Sequence, residues 1–274
     1  MIETGVGGCG TGFHREHHDW VLAEHPAVPW FELISENFMV PGGRPRHVLE
    51  RLRRDWPVAL HGVSLSPGSD EPVDPGYLRR LKDLVSWVQP AIVSDHLCWT
   101  GLGGHNSHDL LPLPFTEEVV RTAAAKIRQF QDTLGRRILV ENVSTYLRFD
   151  GSTMTEWEFV AAVAAEADCG ILLDVNNVFV NSRNHGFDPA EYLAALPVDR
   201  VAQFHIAGHE EHGQVVLDTH DRPVDTAVWD LFRRAVARFG PRPAIIERDE
   251  HIPEFPVLLD EIRQAQRILD GAPD

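Results

Sequence analysis

The sequence predicts a (β/α)8 barrel, and three observations carry that prediction. Eight short apolar runs alternate with eight helical patterns along 274 residues. Strands alternating with helices imply parallel βαβ units, and a closed barrel of such units takes about 250 residues. The apolar runs are continuous rather than alternating, as expected of parallel strands buried on both faces. Finally, acidic and imidazole side chains stand at the ends of six successive runs: His61 after VAL, Asp95 and His96 after AIVS, Glu141 after RILV, Asp174 after GILL, His205 after VAQF, and Glu247 after AII. In a barrel those strand ends share one rim, where such folds place their chemistry.

The strands are expected at about 2–7, 30–34, 57–62, 91–96, 137–142, 170–175, 201–206 and 243–248. A helix falls near 17–24. Pro45 to Asp55 follows, with Val48, Leu49 and Leu52 at helical spacing. Pro75 to Val88 has Asp74 as N-cap and proline in its first turn. A long helix starts at Thr116-Glu117-Glu118 and is stopped by Gly135 after Leu134. Thr155 to Ala167, Pro189 to Leu196, Asp225 to Phe239 and Pro253 to Leu269 complete the set. The early GVGGCGTG lacks the helix and the acidic partner of a dinucleotide-binding loop. It reads instead as a first strand whose small residues pack tightly at the barrel floor. Segments 41–45, 66–75 and 101–106 read as βα loops. With no linker composition between them, residues 1–274 are expected to form one barrel domain.

Composition excludes several classes. The net charge is −16, with lysine only at Lys82 and Lys126. That balance argues against a nucleic-acid partner, which needs a basic face. No apolar run approaches the ~20 residues of a membrane span, and the N-terminal residues lack a signal-peptide pattern. Cys9, Cys98 and Cys169 are widely spaced, without a CxxC, and read as reduced thiols in a cytoplasmic protein.

Asp218 and His220, in DTHD, add two more donors to the six strand-end groups. This set exceeds what one ion takes, and buried charge at such density carries a prohibitive desolvation cost unless cations compensate it. Two or three ions in one pocket are the natural count, with Glu141 in mid-barrel as a bridge. Asp95, His209, Asp221 and Asp249 are candidates to orient ligands.

The order His61, His96, Glu141, Asp174, His205, Asp218-x-His220, Glu247 resembles the trinuclear site of the xylose isomerase-like barrels, which include apurinic endonucleases. More narrowly, WFELISENFM, VALHGVSLS, SDHLCWTG, HDLLPLPFTEE, ENVSTYL, LLDVNNVFVN, HIAGH and DTHDRPV resemble the DUF692 (UPF0276) family across roughly residues 5–260. These are multinuclear non-heme iron enzymes, the methanobactin-type oxazolone-forming enzyme among them. The resemblance implies a TIM barrel with two or three irons in mixed Fe(II)/Fe(III) valence. His61, His96 and Glu141 would hold one iron. Glu141 would bridge to a second, held also by Asp174, His205 and Glu247. A third would take Asp218, His220 and Asn177. The endonuclease pattern wants a histidine at position 177, so the amide favours the oxidative family over the hydrolytic one.

The same resemblance implies O2-dependent modification of a ribosomally made precursor peptide, commonly at cysteine, with a small partner protein presenting the peptide leader. Glu141, Asp174 and His205 would stand at the reaction. Asn37, Asn142, Arg248 and loop 100–109 are candidates to position the peptide. The alternative class is a metal-dependent hydrolase or isomerase on the same barrel.

Overall fold

The computed structural model describes residues 2, 4–102 and 105–271. Eight parallel strands close a barrel in chain order: β1 (Cys9–Gly12), β2 (Phe31–Ile34), β3 (Val58–Gly62), β4 (Val93–His96), β5 (Leu139–Glu141), β6 (Gly170–Asp174), β7 (Val201–Ile206) and β8 (Ala244–Ile246), with β8 pairing back onto β1. The predicted (β/α)8 TIM barrel is therefore the fold. Residues two apart on a strand face the same side. Trp30, Ala59, Leu139, Leu172 and Ile245 form a separate apolar layer at the barrel floor. Two residues further along the same strands come Glu32, His61, Glu141, Asp174 and Glu247. One face of each of these five strands thus supplies first a floor residue and then a chemical group.

The first strand lies later than the sequence suggested, at Cys9–Gly12 rather than 2–7. Gly5 and Gly8 have φ of 68° and 73°, a left-handed backbone that interrupts a strand. The expectation of tight packing holds one step on. A Cβ at Gly10 would fall 2.5 Å from the Trp30 carbonyl oxygen, so only glycine lets β1 lie there.

The outer layer is helical, and its ends obey local chemistry. The Asp74 carboxylate accepts from Gly76 N (2.7 Å) and Tyr77 N (3.1 Å) ahead of Pro75–Val88. Thr155 and Glu158 form a reciprocal capping box ahead of Glu156–Ala167. Arg44–Asp55, Glu117–Leu134, Pro189–Ala195, Thr226–Phe239 and Phe255–Leu269 lie where the sequence placed them, within two residues at each end. Their apolar faces join the barrel's outer surface in one continuous core.

Two features were not expected. Val175–His185 is a helix directly after β6. Its asparagines hid it, because the polar residues are buried too: Asn181 accepts from Thr145 N (2.7 Å) and donates to Val143 O (3.0 Å) and Glu156 Oε2 (2.9 Å). Two antiparallel hairpins also form, Trp99–Leu102 with His105–Leu111, where a loop was expected, and Glu210–His212 with Val215–Leu217. No helix among the described residues is long and apolar enough to cross a membrane.

Candidate metal centre

The C-terminal strand ends bring the predicted donors together. His61 Nε2, His96 Nε2 and Glu141 Oε2 converge, at 3.2 Å (His61–Glu141), 3.5 Å (His96–Glu141) and 3.3 Å (His61–His96). The other ring nitrogens are already committed. His96 Nδ1 faces the Gly62 carbonyl at 3.0 Å, so it carries the proton and leaves Nε2 bare toward the centre. His61 Nδ1 meets Ser94 Oγ at 2.8 Å. Burial, with the His96 ring alongside, pushes the His61 pKa down to about 4.

Glu141 Oε1 faces a second set. It lies 3.4 Å from His205 Nδ1, which is 2.9 Å from Glu247 Oε2. Glu141, Asp174, His205 and Glu247 each offer a donor atom within 4.8 Å of the others, and all four side chains are buried. The two oxygens of Glu141 thus belong to two different ligand groups, the arrangement of a bridging carboxylate. Asp174 is held by its own strand end: Oδ1 caps the following helix by accepting from Asn177 N at 2.5 Å, while Oδ2 has no hydrogen-bond partner.

The third group is looser. His220 Nε2 lies 2.6 Å from Asp218 Oδ1, and its Nδ1 lies 3.0 Å from Asp249 Oδ2 and 3.4 Å from Glu247 Oε2. Its backbone is held left-handed (φ 48°) by Gly208 O and Asp249 N. Asn177 Nδ2 donates to Asn142 O, which leaves Oδ1 buried and unpartnered.

The electrostatics are those of a centre that wants cations. Burial pushes the Asp174 carboxyl well above its usual range, though His220 pulls it down, and Glu141 adds to the rise. Burial also raises Glu247. Burial works against the imidazolium of His205 and of His220, yet Glu247 with Glu32, and Asp218 with Glu247, hold both well above normal. Glu141 is held well below the usual carboxylate range despite its burial, chiefly by His205, His96 and His61. Cations held among these groups would neutralise the same charges and release the protons. Six buried atoms with no hydrogen-bond partner mark where ions fit: Glu141 Oε2, Asp174 Oδ2, Asn177 Oδ1, His205 Nδ1, His220 Nε2 and Glu247 Oε2. An all-imidazole and oxygen donor set suits a borderline to hard transition metal.

The surrounding residues are sorted differently from the sequence reading. Asn142 is buried, accepting from Asp174 N and donating to Asp174 O at 3.0 Å each, so its side chain clamps the Asp174 backbone. Arg248 is 2% exposed and pairs with Glu261 at 2.5 Å, so it is withdrawn from the opening. Asn37 does face an opening: it lines a cavity of about 560 Å³ that reaches Glu32, Glu247 and Asp249 and is walled by Phe13, Ile34 and Phe38. Of loop 100–109, residues 103 and 104 lie outside the described residues. Asp249 touches the His220 ring directly. His209 acts at one remove, Nδ1 to Asn176 Oδ1 (2.9 Å), with Asn176 Nδ2 donating to Asp218 (2.7 Å). Asp95 holds the backbone N–H groups of His96 and Leu65, and Asp221 takes the Thr219 hydroxyl and His251; neither touches the ring of a candidate ligand. Sequence reasoning missed Glu32, a buried acid in the middle of the run FELI, whose Oε1 is 2.9 Å from His205 Nε2. An acid among apolar strand residues is the signal the sequence holds, though unlike the other donors it does not end its strand.

Residues 8–270 match the profile of the family described as RiPP precursor modification enzyme MbnB/TglH/ChrH. The chain belongs to this family. Members act on precursors of ribosomally synthesised and post-translationally modified peptides, so the MbnB/TglH/ChrH family implies a peptide substrate. The chain is also 54% identical over 261 residues to a UPF0276 protein of Anaeromyxobacter sp. (strain Fw109-5), covering 95% of this chain and 92% of that one. Among solved structures, a D-tagatose 3-epimerase-like protein superposes with a TM-score of 0.64 at 14% identity, covering 96% of this chain and 98% of that one. Endonuclease IV from Thermus thermophilus superposes with a TM-score of 0.61 at 17% identity, covering 97% of this chain and 99% of that one. At such identities the likeness of the two structures to the MbnB/TglH/ChrH member shows the fold alone.

Proposed function

We propose that this protein is a multinuclear iron enzyme that uses O2 to oxidise a precursor peptide at a cysteine. The observation that carries the reading is Glu141: one buried carboxylate whose two oxygens enter two separate imidazole and carboxylate groups. His61 and His96 would hold one ion with Glu141. Asp174, His205 and Glu247 would hold the second. Asp218, His220 and Asn177 stand ready for a third. Iron held there supplies a site that ligates a thiolate and activates O2. The cysteine residue gives up electrons and protons, and O2 takes both and is reduced to water.

The chain's own part is positioning and exclusion of bulk water. The cavity beside Glu32 and Glu247 seats the peptide segment, with Asn37 at its wall. Asn142 holds Asp174, and Asp249 holds the His220 ring. A small partner protein presents the peptide leader. The test is to mix iron-loaded enzyme with the cysteine-bearing peptide encoded beside its gene. A mass change is expected in air and not under strict anaerobiosis, and the Cys→Ser peptide should not react. A mass change that proceeds equally without O2 moves the protein to the hydrolase or isomerase class.

A further inference from the structure

We propose that Glu32 is a positioning residue that fixes which nitrogen of His205 faces the metal centre. The proposal rests on the metal-binding part of the reading above and extends it to a residue outside the predicted ligand set. Glu32 is 4% exposed, in mid-strand β2, paired in register with Gly12 and Ala59. Its Oε1 lies 2.9 Å from His205 Nε2, and its Oε2 accepts from Gln203 Nε2 at 2.6 Å. A buried carboxylate between these two partners is an acceptor only. His205 Nε2 must therefore carry a proton and donate it.

Gln203 donates to the same carboxylate, so its amide nitrogen and His205 Nε2 are two N–H donors sharing Glu32 as acceptor, and their 3.1 Å approach is a contact between donors. Gln203 Oε1 has no partner. Turning the amide over would set its oxygen against the Glu32 carboxylate at 2.6 Å, so the amide nitrogen points to Glu32. With the Nε2 proton held by Glu32, only Nδ1 of His205 is left to offer a lone pair. Nδ1 is the atom that faces Glu141 and Glu247 and lacks a hydrogen-bond partner. The carboxylate also makes the ring a stronger donor toward a cation. Glu32 and Glu247 both line the 560 Å³ cavity, so the same side chain stands between the substrate space and the ligand it aligns.

Chemistry alone offers Glu32 a second role, since Glu32, His61 and His205 could themselves group around an ion. The two roles give different results. Metal-free protein is loaded with zinc against a chromogenic chelator, for the parent and for Glu32→Gln, Glu32→Ala and Glu32→Asp. A positioning role predicts unchanged stoichiometry at saturating zinc, with affinity at one site weakened about tenfold in Glu32→Gln and up to about a hundredfold in Glu32→Ala. Glu32→Asp should recover part of the loss. Nitrogen-15 spectra of the zinc-loaded parent should show a His205 ring protonated at Nε2, and Glu32→Gln should lose or broaden that signal. Unaltered zinc affinity and an unaltered ring signal in Glu32→Gln overturn the proposal. So does the loss of one whole equivalent of zinc with the rest bound normally, which would make Glu32 a ligand. Glu32→Gln is nearly isosteric, so the test survives if Glu32→Ala does not fold. Zinc titration involves no O2, so its failure is distinct from failure of the aerobic peptide experiment.

Discussion

Glu141 concentrates the chemistry of the centre in one side chain. It is 1% exposed, and three histidines hold its carboxylate ionised against the cost of burial. Of the two candidate groups that include Glu141, each histidine enters one, whereas Glu141 enters both. Glu141→Gln is therefore expected to cost more metal than His61→Ala, His96→Ala or His205→Ala. The amide keeps the shape but removes the charge shared between ions, so affinity should fall beyond the roughly ten- to hundredfold of an outer-shell change. Metal analysis of the four variants after identical loading decides it, and full metal content in Glu141→Gln would refute the bridge. This residue, with His61, His96, Asp174, His205 and Glu247, was legible in the sequence because each ends an apolar run. Asn142 and Arg248 turn onto Asp174 and Glu261, which no local pattern reveals, because a polar residue beside a ligand looks the same in sequence whether it faces the opening or the scaffold.

Between residue and element stands Asp174, where a strand end, a helix start and a ligand coincide. Oδ1 caps Val175–His185 while Oδ2 points to the centre. The two duties separate by substitution. Asp174→Asn keeps a capping oxygen, so metal-free stability should stay near the parent's although metal affinity falls. Asp174→Ala should lose about 1 kcal/mol more, the usual value of a cap. Denaturant midpoints of the metal-free proteins provide the comparison, and equal stability in the two variants would show that the cap contributes nothing. The helix itself escaped the sequence reading because its asparagines face other elements and not water. Most remaining helices were legible from cap residues and apolar spacing, which are local signals.

At the scale of the whole molecule, buried acids make stability depend on pH. Glu156 is buried between Asn181 Nδ2 (2.9 Å) and Tyr192 Oη (3.0 Å), and burial raises its pKa from 4.5 to about 7. Below pH 4.5 the folded and unfolded chains both hold the proton. As pH rises from 4.5 to about 7 the unfolded chain releases it first, so stability falls across that window and levels off above it. The loss is about 3.5 kcal/mol at most, from roughly 1.4 kcal/mol per pKa unit. Glu156→Gln should be free of it. The stability of Glu156→Gln relative to the parent should therefore grow from about pH 4.5 to about pH 8, and a constant difference over that range would contradict the burial argument.

The alternation of strands and helices, all but the helix after the sixth strand, the barrel they close, and the donors at the strand ends were determined by the sequence alone. These depend on periodicity and on which residue ends each run, and both are written locally. The tertiary structure decided which atom of each donor faces which neighbour. Glu32 reaches His205 across more than half of the chain, and Asn142 turns onto Asp174 while Asn37 turns toward the cavity. Such contacts follow from barrel closure and strand register, which bring together residues that no local pattern connects.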